Sequence, residues 1–283
     1  MSPDAAAHGR GAGDACVLEI AANSLASALA AQDGGADRIE LCAALEIGGL
    51  TPSHAQISLV RERLSIPIHV LVRPRAGDFA YSAEEHATML ADVAHCVALG
   101  CEGVVVGALD RDGEVDAVRC RELVDAAGGL DLTFHRAIDV SRDLLRSLDQ
   151  AIELGFHRIL SSGGAASAPR GADRLRDLVE RAAGRIAVMP GGGVDAGNVA
   201  ALATATGARE FHASAKRALP SAMRHAPRET LGMEEGESRS DADQVRRIAQ
   251  RCGRFANRHE PGFPRRRYRR DACAPGPGGA AGR

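Results

Sequence analysis

Ionisable side chains recur near the ends of short apolar runs in this sequence: Glu19 in Val17-Leu-Glu-Ile-Ala-Ala22, Glu40 in Arg-Ile-Glu-Leu, His135 after Thr133-Phe134, and His212 after Phe211. Carboxylates and imidazoles exchange protons at neutral pH, and apolar surroundings tune them for it. Glu19, Glu40 and His135 are therefore the candidate acid/base groups. Guanidiniums lie nearby in Arg73-Pro-Arg75-Ala-Gly-Asp78 and in Arg136-Ala-Ile-Asp139. Arginine grips carboxylate and phosphate, so Arg73, Arg75, Asp78, Arg136 and Asp139 read as a binding set for a small anion. Ser162-Gly163-Gly164 and Gly191-Gly192-Gly193 offer backbone amides to the same ligand, with His212 and Ser214 beside them.

Each candidate also has an ordinary structural role. Glu19 and Glu40 can be salt-bridge partners of Arg73, a histidine in an apolar strand can be hydrogen-bonded filler, and Arg136 can pair with Asp139 on the rim. Ser162-Gly163-Gly164 can be a tight turn. What favours a site is the set, because so many buried charges are costly unless they pair or meet a ligand. Lys216 is the only lysine and follows His212 by four residues, outside the strand, which argues against Schiff-base chemistry. Neither a Gly-x-Ser-x-Gly elbow nor a His-Glu-x-x-His helix is present, so isomerase, lyase or binding roles remain.

Four segments open with a glycine followed by a strand-like run: Gly35 to Glu40, Gly100 to Val105, Gly155 to Leu160 and Gly207 to His212. A glycine just past a helix adopts the left-handed conformation that ends it. Between these joints lie four more strand candidates, Val17 to Ala22, Ile66 to Arg73, Leu130 to Arg136 and Arg185 to Pro190. The stretches between strands carry helical stripes, such as Met89, Val93, Cys96 and Val97. Ser82 with Glu85 forms a capping box for the third helix, and Asp195 is a cap for the seventh. Eight β/α units predict an α/β fold, a (β/α)8 TIM barrel in a single domain, with layers of core residues from alternate strands. An open doubly wound sheet is the alternative, and it supplies no reason for a recurrence on every second strand.

The barrel is expected over residues 16–250, after a flexible N-terminus at 1–15. Nine arginines but two acids follow Gln250, so the residues up to 250 carry 26 basic and 35 acidic groups. Residues 251–283, rich in Arg, Gly and Pro, predict a disordered basic tail. Abrupt change of composition inside a helical pattern also admits altered reading of the gene there. No apolar run approaches the roughly 18 residues of a membrane span, and no signal peptide is visible, so the expected location is cytoplasmic. The seven cysteines lack paired spacing and read as reduced thiols. Few aromatics and no tryptophan make nucleic-acid stacking platforms improbable for the barrel.

Several motifs in order, Gly34-Gly-Ala-Asp-Arg-Ile-Glu-Leu-Cys42, Gly48-Gly-Leu-Thr-Pro-Ser53, Arg73-Pro-Arg-Ala-Gly-Asp-Phe79, Thr133-Phe-His-Arg-Ala137, Ser162-Gly-Gly164 and Met189-Pro-Gly-Gly-Gly193, resemble the CutC family of copper homeostasis proteins. The resemblance spans about Val17 to Asp241. It implies a cytoplasmic TIM barrel linked to copper tolerance, with Cu(I) as the metal. Cys42 matches the family's strand-two cysteine and is the implied Cu(I) ligand, assisted by a histidine or Met189. Relatives often carry a second cysteine after the strand-one glutamate, where this chain has Ala21 and Ala22, and Ala76 replaces a glycine of the family pattern. The expected partners are a copper ion or a small anionic molecule, with neither membrane nor nucleic acid, and a homo-oligomer is compatible with the fold.

Overall fold

A computed structural model describes residues 16–225 and 236–253. Parallel strands β1 (Val17–Ala22), β2 (Arg38–Leu41), β3 (Ile68–Leu71), β4 (Gly103–Val106), β5 (Asp131–Phe134), β6 (Arg158–Ser161), β7 (Ala187–Pro190) and β8 (Glu210–Ala213) pair in the order β7-β6-β5-β4-β3-β2-β1-β8. β7 lies against β8 across the remaining seam, so the sheet is a nearly closed barrel. Helices α1 (Leu25–Gly34), α2 (His54–Arg63), α3 (Ala83–Ala98), α4 (Ala117–Ala127), α5 (Leu144–Leu154), α6 (Ala172–Ala182), α7 (Val199–Thr206) and α8 (Ala242–Arg251) alternate with the strands. This is the (β/α)8 TIM barrel that the alternation predicts.

The local signals act as expected at most joints. Gly35, Gly155 and Gly207 end their helices in the left-handed conformation, and Gly100 has φ 68 two residues beyond α3. Ser82 and Glu85 close the capping box of α3. The seventh helix differs: it starts at Val199 after Asn198, and Asp195 instead accepts the amides of Gly197 and Asn198 in the preceding turn. An antiparallel hairpin of β9 (Lys216–Leu219) and β10 (Glu237–Ser240) joins β8 to α8. Its strands are largely polar and carry no apolar alternation, which is why eight strands were expected and ten are present among the described residues. The expected tail lies outside the described residues except for its first three members, and the expected N-terminal segment lies outside them altogether.

Side chains alternate between two environments along each strand. Leu18, Ile20, Ile39, Ile68, Val104 and Phe134 join the large apolar cluster with helix residues such as Met89 and Leu123. The opposite faces point into the barrel and are polar there: the ionic groups Glu19, Arg38 and Arg158 are buried, with His69, which burial keeps neutral, among them. The layered interior expected of a barrel is thus an ionic layer at this level. Arg38 of β2 reaches Glu210 of β8 at 2.6 Å and Met189 of β7 at 3.1 Å, while Arg158 of β6 meets Glu210 at 3.1 Å. Mutual pairing offsets the desolvation of these groups. No helix among the described residues is long and apolar enough to cross a membrane.

Candidate functional site

At the carboxyl ends of the strands a cavity of about 460 Å³ opens, a size that suits a small metabolite. Glu40, Arg73, His135, Arg136, Gly192, Gly193, His212 and Ser214 all line it, so eight of the residues singled out in the sequence meet there. Glu19 sits beneath, wholly buried. Its carboxylate pairs with Arg38, not with Arg73, the partner weighed for it as an ordinary structural role, and its other oxygen lies 2.8 Å from His212 Nδ1. Burial opposes ionisation of Glu19, but Arg38 and His212 outweigh it and hold the carboxyl well below the usual range. An ionised Glu19 requires His212 to donate from Nδ1, which leaves Nε2 facing Glu40 Oε2 at 3.8 Å.

Glu40 is buried, yet no hydrogen-bond donor among the described residues reaches its carboxyl, and burial lifts its pKa to about 7, with Glu19 adding to the rise and His212 and Arg38 opposing it. Burial disfavours charge on His212 too, but Glu40 and Glu19 raise its pKa overall. Each group's charge favours ionisation of the other, so the two titrate as a coupled pair. His135 is different in kind. Its Nδ1 accepts the amide of Ala137 at 3.2 Å, so the ring proton belongs on Nε2, which has no partner among the described residues. Burial, reinforced by Arg73, pushes its pKa down to about 3 and keeps the ring neutral.

Arg73 is not spent on a carboxylate. Its guanidinium donates to the carbonyls of Ile47, Gly49 and Gly77 at 2.9 to 3.1 Å and lies 5.2 Å from the Phe79 ring centre, so it ties the loops after β2 and β3 together. Arg75 and Asp78 lie off the cavity: Arg75 binds Asp78 at 2.9 Å and Glu85 at 2.6 Å, fastening the same loop to α3. Across the mouth, Arg136 donates to Asp139 at 2.8 Å and to Ser162 Oγ at 2.9 Å. Asp139 also accepts the amides of Ser162 and Gly164, and Ser161 Oγ accepts that of Gly163. The Ser162-Gly163-Gly164 amides are therefore engaged within the protein, as in a tight turn. Gly192 and Gly193, with φ of 89 and 78, donate to no protein group among the described residues, and a Cβ on Gly192 would lie 3.4 Å from the Arg136 guanidinium.

A family model described as the CutC family matches residues 16–217. The chain belongs to the CutC family. A family protein CutC from Xanthomonas campestris is 54% identical over 234 residues, covering 82% of this chain and 97% of that protein. Another, from Bacteroides thetaiotaomicron, is 48% identical over 209 residues, covering 74% and 84%. A Streptococcus agalactiae structure designated a copper homeostasis protein CutC superimposes with a TM-score of 0.67 at 34% identity, over 70% of this chain and 97% of that one. Thiamine phosphate pyrophosphorylase from Pyrococcus furiosus, at TM-score 0.54 and 14% identity, shares the fold alone.

For a CutC protein the fit of copper to the residues is the natural test. Cu(I) prefers soft sulfur ligands. Cys42 is packed in an apolar cluster with Leu71 and Val105 beneath Gly49, off the cavity lining, and burial with the nearby Glu40 pushes its thiol up. Met189 sulfur accepts a hydrogen bond from Arg38. The group of ligand atoms that does gather, from Glu19, Glu40 and His212 within 4.8 Å of one another, is oxygen and nitrogen, and Arg38 already neutralises part of it. These residues do not fit Cu(I).

Arg38, His69, Arg158 and Glu210 shape the floor and were not singled out from the sequence. The signal was present for Arg38: Arg38-Ile-Glu40 places both charges on one strand face, and Arg158 and Glu210 open their strands two residues before an inward position. Lys216, expected outside the barrel's chemistry, lines the cavity mouth from the hairpin and is exposed, so it adds positive charge there without the desolvation that Schiff-base chemistry needs.

Proposed function

We propose that this chain is an enzyme of isomerase or lyase type acting on a small anionic metabolite. Any part it plays in copper homeostasis, the role in the designation of its Streptococcus agalactiae relative, runs through that chemistry and not through Cu(I) held by Cys42. One observation carries the reading: a buried carboxyl without a hydrogen-bond donor, Glu40, faces His212 across 3.8 Å at the floor of a cavity. Glu19 fixes the His212 tautomer, so His212 Nε2 and Glu40 form an acid/base pair able to take a proton from one substrate atom and return it to another. His135, a neutral Nε2–H donor, suits the stabilisation of a developing oxyanion and not proton abstraction. Arg136 and the amides of Gly192 and Gly193 suit the ligand's anionic group, at the barrel end where phosphate is commonly held.

A thermal-shift survey of phosphosugars and organic acids identifies binders, and NMR in D2O then follows solvent exchange of their carbon-bound protons. Exchange is expected with the native chain and lost in Glu40→Gln and His212→Asn while binding persists. Failure of every anion to stabilise the protein, or exchange that survives Glu40→Gln, would defeat the proposal. In a chelator competition, native and Cys42→Ser chains should give superimposable Cu(I) curves. A weaker curve for Cys42→Ser would restore copper to that cysteine.

A further inference from the structure

The cavity lining is more apolar after β2 and β3 than after β7 and β8, while the turn after β5 supplies both Arg136 and Val140. The loops after β2 and β3 supply Leu45, Ile47 and Phe79, whereas the loops after β7 and β8 supply Gly192, Gly193 and Ser214, with Lys216 behind them. In the closed strand order β3 lies opposite β7 and β1 separates β2 from β8, so the two arcs occupy different sectors of the mouth. Glu40 and His212, from β2 and β8, stand between them.

Two features of the apolar arc are unusual for a site built only for a small anion. Ile47 is 48% exposed and Val140, from the turn after β5, is 63% exposed, and both border the cavity. Exposed apolar groups clustered at a mouth mark a surface that a ligand covers. Phe79 is also held in place: its ring lies 4.9 Å from that of His135 and the Arg73 guanidinium lies over it. Fixed by these two neighbours, the ring, which borders the cavity, offers a preformed apolar contact. The Arg73 guanidinium that borders this arc is engaged with three backbone carbonyls.

We infer that the substrate is amphiphilic: an anionic group seated at Arg136, Lys216 and the Gly192-Gly193 amides, an aryl or alkyl group on Phe79, Ile47 and Val140, and the reacting atoms between them over Glu40 and His212. The inference rests on the anion-binding enzyme proposed above and narrows its substrate class. A simple phosphosugar would leave the apolar arc wet.

Matched probes separate the two claims. Isothermal titration with inorganic phosphate, phenyl phosphate and benzyl phosphate compares the same anion with and without an apolar group. Burying a ring on this arc should tighten binding roughly ten- to hundredfold over inorganic phosphate. Ile47→Asn and Val140→Asn, neutral changes at exposed positions, should abolish that advantage and leave inorganic phosphate binding within about twofold. Equal affinity for all three probes overturns the amphiphilic substrate while leaving anion binding intact, and so does an aryl advantage indifferent to both substitutions. No binding of any probe removes the anion-binding reading, and this inference with it.

Discussion

Arg38→Met tests the ionic floor on which the site stands. Arg38 is the shared cation between Glu19, which is wholly buried, and Glu210, which is mostly so. Methionine fills similar volume but leaves Glu19 with His212 as its remaining close hydrogen-bond partner. Removing one member of a buried pair strands the other charge and typically costs about 3–5 kcal/mol. The Arg38 and Glu19 side chains are only 8% and 0% exposed, so solvent screening offers little relief. At roughly 2–4 °C per kcal/mol for a domain of this size, the melting temperature should fall by about 6–20 °C at pH 7.5. A second readout separates charge from packing. With Arg38 gone, the Glu19 carboxyl rises toward protonation, so the deficit should narrow as pH drops from 7.5 toward 5. Glu19→Gln in the same chain should recover much of the loss, because the stranded charge is then absent. Calorimetry across that pH range, in the two variants and the native chain, checks all of this. A fall below about 2 °C, or a deficit that ignores pH, would refute the account of Glu19 as a carboxylate held ionised by Arg38.

Glu40 gives a pH signature of opposite sense. Its folded pKa of about 7 exceeds the ordinary 4.5, so its contribution to stability is fully present below 4.5 and is lost as pH rises through 7. Glu40→Gln, neutral throughout, should match the native chain at low pH and exceed it at pH 8 by up to roughly 3 kcal/mol in denaturant unfolding. A difference that stays constant from pH 5 to 8 would contradict this. For His135, 15N NMR should report a neutral, Nε2-protonated ring down to about pH 4 in keeping with its depressed value. A midpoint near 6.5 would place the ring in contact with water. Gly103→Ala should destabilise by about 1–3 kcal/mol, because its Cβ would lie 2.7 Å from the His69 ring and 2.8 Å from the Asp131 carbonyl. Unchanged unfolding free energy would mean that the floor has slack which these distances deny.

Much of the barrel was legible locally. A glycine ending a helix and a β-branched run beginning a strand act over a few residues, so β1 was expected at its observed bounds and the other seven strands within two or three residues of theirs. The capping box at Ser82 and Glu85 is equally local. Where the local signal was ambiguous the reading slipped: Asp195 looks like a cap but bonds within a turn one step earlier, and the polar strands of the hairpin have no periodicity to read. The glycines after β7 and the strand-end charges were visible as residue types in sequence.

What the sequence determined by itself is the alternation of strands and helices, and the presence of acid/base and cationic side chains near strand ends. Pairing was decided by the tertiary structure. Arg73, drawn as a partner for Glu19, instead holds three carbonyls, while Arg38 crosses the barrel to Glu210 and takes Glu19 for itself. His135, the favoured base from its position, is neutral with its proton on Nε2, and His212 is the ring that faces Glu40. Cys42 carries a family motif but ends under Gly49, off the cavity lining. The physical reason is range. Strand and helix preferences are set by neighbours along the chain, whereas the charge state of a buried group depends on which distant side chains closing the barrel brings within a few ångströms.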